Sequence, residues 1–123
     1  MNIFLMSAAA ICTATTFIHC YLGGKTIAAP LLRANDINDV AKYTNYYCWH
    51  LVSATLAMMS AAFLWAAVNP SAFEAAIIAE ILAIIFLVWN IGLIIWKGQS
   101  FTGMPQWILF GVISVTGGIG LFS

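Results

Sequence analysis

The sequence predicts an all-α fold: a four-span transmembrane helix bundle with both termini on the outer face of a membrane. Three observations carry this expectation. The 123 residues are 63% hydrophobic and only 7% charged, with no net formal charge, far from the make-up of a soluble globular domain. Four windows, about 3–22, 46–68, 72–96 and 105–122, are continuously apolar, and each comes close to the roughly 20 residues that a helix needs to cross a bilayer core. Finally, Lys25, Arg33, Lys42 and Lys97, the whole basic complement of the chain, fall in segments that alternating helices would bring to one face.

The first window lacks the basic start and small-residue cleavage site of a secretory signal and is expected to stay in the protein. Gly23, Gly24 and Lys25 then read as its end, and 23–45 as a basic loop. Within that loop Asn35, Asp36, Asn38 and Asp39 offer N-caps, and Ile37, Val40 and Ala41 sit at helical spacing. The second helix, apolar over 46–68, is therefore expected to reach back toward residue 36 as an amphipathic collar. Asn69, Pro70 and Ser71 predict a tight turn into the third helix, where Glu74 places a favourable charge at the positive end of the helix dipole. A second basic loop, 97–104, leads to the fourth helix. Windows that do not alternate and are about twice a barrel strand's length speak against a strand barrel. No repeat or second domain is visible, so 1–123 reads as one transmembrane domain.

Positive charge concentrates in cytoplasmic loops. That rule places loops 23–45 and 97–104 in the cytoplasm of a bacterial inner membrane, with the lipid bilayer as solvent. Nucleic acid is not an expected partner, since there is no basic patch. Phosphate-cradling glycine loops, zinc-peptidase helix motifs and nucleophile elbows are also lacking, so ordinary hydrolytic chemistry has no support.

Polar residues at membrane depth ask for a reason, because burying them unpaired is costly. Counting 1.5 Å per residue puts His19, His50, Asn90 and Gln106 at one depth near the basic end, one from each helix. Tyr46, Tyr47, Trp49, Trp89, Trp96 and Trp107 share that level, which also suits an interfacial aromatic belt. His19 lies on a stripe with Ala8, Cys12 and Thr15, and His50 on one with Tyr46, Ser53, Ala57 and Ser60. Helix three offers Glu80, Ala83, Leu87 and Asn90, and helix four Gly111, Ser114 and Gly118; small-residue stripes of this kind equally serve tight helix packing.

Two histidines at one depth could bind a cofactor. The leading candidate is a b-type haem held by His19 and His50, with Tyr46, Asn90 and Gln106 nearby; a quinone pocket of the same histidine and aromatic residues is another. A metal ion on His19, His50, Cys20 and Cys48 is a third, although His19 and Cys20 are about 100° apart around their helix and Cys48 and His50 about 200°. Histidines simply hydrogen-bonded to neighbours remain the plain alternative. The cysteines read as reduced packing residues. Glu80, about 12 Å into helix three, could carry a proton or bind a cation, or be a neutral acid hydrogen-bonded within the bundle or to another subunit.

The run Phe17, Ile18, His19, then Gly23 and Gly24, then Ala28, Ala29, Pro30, Leu31 and Leu32, followed by Tyr46, Tyr47, Trp49 and His50, resembles uncharacterised small four-helix bacterial membrane proteins. A histidine before paired glycines and a later proline is also similar to the membrane domains of copper-resistance D-type proteins and the membrane protoporphyrinogen oxidase group. The likeness covers roughly residues 17–50, with Tyr21 where those families carry a tryptophan. It implies haem- or metal-related work centred on His19.

Three functions follow as expectations. The first is a non-enzymatic accessory or self-associating subunit, partnered by copies of itself or by other membrane-protein subunits, because the parts outside the membrane are too small to catalyse. The second is a haem-, metal- or quinone-binding redox protein using His19 and His50. The third is a small proton-coupled transporter using Glu80.

Overall fold

The structure, a computed structural model, describes residues 1–123; it is all-helical and contains no strand. We label its four helices α1 (Ile3–Arg33), α2 (Asp39–Val68), α3 (Phe73–Lys97) and α4 (Gln106–Phe122). The first three are long and apolar enough to cross a membrane, whereas α4 is a shorter apolar helix of 17 residues. α1 packs against α2 and α4, and α3 against the same two, closing a four-helix ring.

Several helix ends are held by local devices. Asn2 caps α1, its side-chain oxygen accepting from the backbone N–H of Phe4 and Leu5, and its Nδ2 donates to the Gly120 carbonyl at 2.7 Å. Its own backbone N–H donates to the Ala67 carbonyl at 2.8 Å. One asparagine thus ties α1, α2 and α4 together. Asn38 caps α2 by accepting from the Ala41 N–H, so the helix starts at Asp39, seven residues before the apolar window begins. Asn69 accepts from the Ser71 N–H and hydroxyl and turns the chain through a 3₁₀ turn, Pro70–Ala72, into α3. Gly98, at φ 60°, ends α3 in the left-handed conformation that only glycine adopts without penalty.

The principal departure from the sequence expectation is α1. It does not stop near residue 22; it continues through a π-helical stretch, His19–Ala28, and an α-helical turn, Ala29–Arg33. Residues 23–33 are therefore helix, and only 34–38 link α1 to α2. Gly23 and Gly24 read as a break because glycine costs about 1 kcal/mol in an exposed helix. Here Gly23 faces a tryptophan of α2, and the wider π-turns keep the backbone bonded, Ala29 N–H reaching the Gly24 carbonyl five residues back. Pro30, which has no N–H to give, follows at once.

Only 21 of 123 residues are buried, so most of the apolar surface is left for lipid. The interior is small-residue rich: Leu5, Ala8 and Cys12 on α1, Leu56, Met59 and Phe63 on α2, Ala76, Ala79 and Ala83 on α3, and Ile113 on α4. Several hydroxyls of α1 and α2 bond to neighbouring protein groups. Thr15 and Thr16 donate to carbonyls four residues back, the Thr13 and Ser60 hydroxyls pair across α1 and α2, and Ser60 donates to the Ala9 carbonyl. The Cys12 thiol donates to the Leu56 carbonyl at 3.4 Å. Such bonds satisfy polar groups where no solvent can.

Candidate functional site

The π-helical stretch of α1 lies against the first turns of α2, and four of the residues predicted at this depth, His19, Tyr46, Trp49 and His50, lie there. Trp49 is the hub. The His19 ring stacks on its indole with centroids 3.9 Å apart and planes 19° from parallel, and His19 Nε2 lies 3.3 Å from the Trp49 carbonyl oxygen, its acceptor. Gly23, one turn after His19, leaves the room for the indole, since a Cβ there would come within 2.5 Å of Trp49 Cη2. A π-turn widens the helix by one residue and commonly marks a functional segment; here it sets His19 and Gly23 along the same tryptophan.

His50 points elsewhere. Its ring meets Tyr46 edge-on, centroids 4.5 Å apart at 80°, and lines a pocket of about 320 Å³ with Tyr46, Trp49, Gly24, Ala28 and Ser53. Cys20 also lines this pocket, whereas His19 does not. The walls are small where α1 passes and aromatic where α2 does. Gly24 is open, with nothing within 4 Å of a Cβ placed on it.

These placements revise the cofactor expectations. A bis-histidine haem needs two imidazole nitrogens facing one space, and His19 is committed to Trp49 while His50 faces the pocket, so this arrangement does not fit that ligand set. No three His, Cys, Asp or Glu side chains come together in a way that could hold a metal ion, so His19, His50, Cys20 and Cys48 do not form a four-ligand site. All three cysteines are free; Cys20 and Cys48 are exposed.

Asn90 and Gln106 do meet, Asn90 Nδ2 donating to Gln106 Oε1 at 3.2 Å. They link α3 to α4, while His19 and Trp49 link α1 to α2 and His50 turns to Tyr46, so His19, His50, Asn90 and Gln106 do not form one cluster of four. Lys25 donates to the Tyr21 hydroxyl at 2.9 Å and lies over that ring, and Lys97 lies 4.0 Å from the Trp96 ring centroid. Lys42 is buried and reaches Asp39 at 3.8 Å.

Glu80 is buried in the core, 6% exposed. Its carboxylate lies over Gly117 and Gly118 of α4, beside the Phe63 ring of α2, and a Cβ at Gly117 would overlap Oε2. Oε2 makes no hydrogen bond within the chain, and neither does Ser114 Oγ one turn away on α4. The stripe Glu80, Ala83, Leu87, Asn90 does face α4, with Leu87 opposite Gly111.

Sequence reasoning missed three parts of this arrangement: Trp49 as the hub, Gly23 as its seat, and Gly117 as the seat of Glu80. The first two had a signal, a glycine pair and a tryptophan at equal depth on adjacent helices. Comparison of the chain with protein-family models, with curated proteins and with solved structures gave no match.

Proposed function

We propose that the protein is a four-span inner-membrane protein that binds a ring-bearing amphiphile of the quinone class beside His50. The observation that carries this reading is the pocket of about 320 Å³ between the π-helical stretch and α2. Its volume sits at the lower end of ligand pockets, roughly 300–1,000 Å³, and suits a headgroup ring whose tail stays in lipid. The Tyr46 hydroxyl and the His50 imidazole can donate to ring carbonyls, and Trp49 gives an aromatic wall. Gly24 and Ala28 keep the α1 side open. The rule of cytoplasmic positive charge assigns the end carrying Lys25, Arg33 and Lys97 to the cytoplasm, with both termini and the Asn69–Pro70 turn outside.

A short-chain quinone titrated into the protein in detergent tests this reading through tryptophan fluorescence. Saturable quenching that weakens in His50→Ala and Tyr46→Phe supports it. Linear quenching that is the same in both variants sinks it.

A second reading, a self-associating or accessory subunit, is favoured by a different feature. An apolar groove of about 380 Å³ runs along the outside of α2 and α3, floored by Ala54, Ala62, Ala75 and Ala79 and edged by Met58 and Ile78. Small residues permit the close approach on which helix association in lipid depends. Native mass in mild detergent separates a single chain from an oligomer or a larger complex.

A further inference from the structure

A second cavity lies at the opposite end of the bundle from His50. It measures about 480 Å³ and is bounded by the two termini and the α2–α3 turn, with Leu5, Ala67 and Gly120 among its lining residues. Its inner wall can be followed toward Glu80. Leu5 packs on Gly120, where a Cβ would meet its Cδ2 at 2.7 Å and its backbone N at 2.9 Å. Three residues earlier on α4, one helical turn or about 5 Å deeper, Phe63 packs on Gly117, a Cβ there lying 3.0 Å from Cε1, and the Glu80 carboxylate covers the same glycine. Gly120, which lines the cavity, and Gly117, beneath the one buried carboxyl of the chain, are thus one turn apart on α4, with Leu5 packed on the first and Phe63 beside the carboxylate on the second.

The buried carboxyl has an unmet need. Oε2 has no partner in the chain, and leaving a buried polar atom unbonded is unfavourable. Nothing ionisable shares its layer. α2 presents Phe63, α4 presents Gly117 and Gly118, and the buried residues of α1 are Leu5, Ala8, Ala9, Cys12 and Thr15, of which Cys12 is bonded to the Leu56 carbonyl. A metal cation is a poor occupant, because hard cations take about six to eight oxygen ligands and no group of three metal-binding side chains exists here. A proton needs only one.

The geometry points to Glu80 as a proton-exchanging carboxyl that communicates with the termini-side cavity, with Leu5 and Phe63 as its gate. In the exchange a hydronium ion entering from the cavity gives its proton to Oε2, forming the carboxylic O–H and leaving water; the reverse step returns the proton. The exchange is independent of the His50 pocket.

The test is covalent labelling of the protein in phosphatidylcholine vesicles with a water-soluble carbodiimide and an amine, read by peptide mass spectrometry. Exposed Glu74 is the internal control for reagent activity. The expected result is slow labelling at Glu80 that disappears in Glu80→Gln and rises several-fold in Leu5→Ala. Leu5→Val, which opens less space, should give a smaller rise, and circular dichroism confirms that both variants are folded. Labelling confined to Glu74, or labelling of Glu80 at one rate in all Leu5 variants, overturns the gate. Modification of Glu80 only by a membrane-soluble carbodiimide would mean access from lipid and would overturn it as well.

Discussion

Gly23 and Trp49 are complementary: the indole of Trp49 occupies the volume that any side chain at position 23 would need, with Cη2 2.5 Å from where a Cβ would be. The indole also carries the His19 ring on its face, so this one glycine sets the spacing between α1 and α2 at the π-helical stretch.

Gly23→Ala should therefore displace Trp49 and unstack His19, at a cost in the range of core overpacking, about 1–3 kcal/mol. A fluorescence spectrum reports the displaced indole, and thermal unfolding in detergent reports the loss. Gly24→Ala, where nothing lies within 4 Å, is expected to keep or slightly raise stability, by up to about 1 kcal/mol, and to weaken quinone quenching by filling the pocket.

Gly117→Ala should be more damaging, because the added methyl meets both the Glu80 carboxylate and the Phe63 ring. Shortening the acid relieves part of that overlap. Gly117→Ala with Glu80→Ala should then cost less than the sum of the two single changes, a coupling of the size seen for residues in contact, about 0.5–3 kcal/mol. Strict additivity in the four-member cycle would show that the two side chains do not compete for the same space.

Asn2→Ala removes the α1 cap and the bond to the Gly120 carbonyl together. Loss of a cap costs about 0.5–2 kcal/mol, and the freed α4 terminus should show faster amide exchange at residues 120–123. Asn38→Ala, which removes a cap only, should cost less and leave α4 exchange unchanged.

The purified protein should be colourless. His19 is engaged with Trp49 while His50 faces a pocket that His19 does not line, so no bis-histidine absorption is expected in oxidised or dithionite-reduced spectra. A Soret band lost in either histidine variant would contradict this arrangement of the two rings.

Much of the architecture was legible because hydropathy and capping chemistry are local. The helical class, the Asn69–Pro70–Ser71 turn and an α2 that begins before its apolar window all follow from neighbouring residues. The course of α1 was not, since Gly23–Gly24–Lys25 reads as a helix end until a tryptophan from another helix is placed beside it. Depth was likewise legible and rotation was not. Asn90 met Gln106 as depth suggested, yet the histidines at the same level turned toward different neighbours, because side-chain packing sets how each helix is rotated. For Glu80, the stripe through Gly111, Ser114 and Gly118 came within one residue of its true seat, Gly117, a resolution that a period of 3.6 does not exceed.

The unequal helix lengths bear on the surrounding lipid. At 1.5 Å per residue the 17 residues of α4 span about 25 Å, short of a hydrocarbon core of about 30 Å, while α2 has 30 residues. On the four-span reading proposed above, lipid against the α4 side would thin, at a fraction of a kcal/mol per Å of mismatch, while lipid against α2 would not. A protein of that shape would act as a wedge in bilayer thickness and partition toward thinner membrane regions with α4 on the thin side.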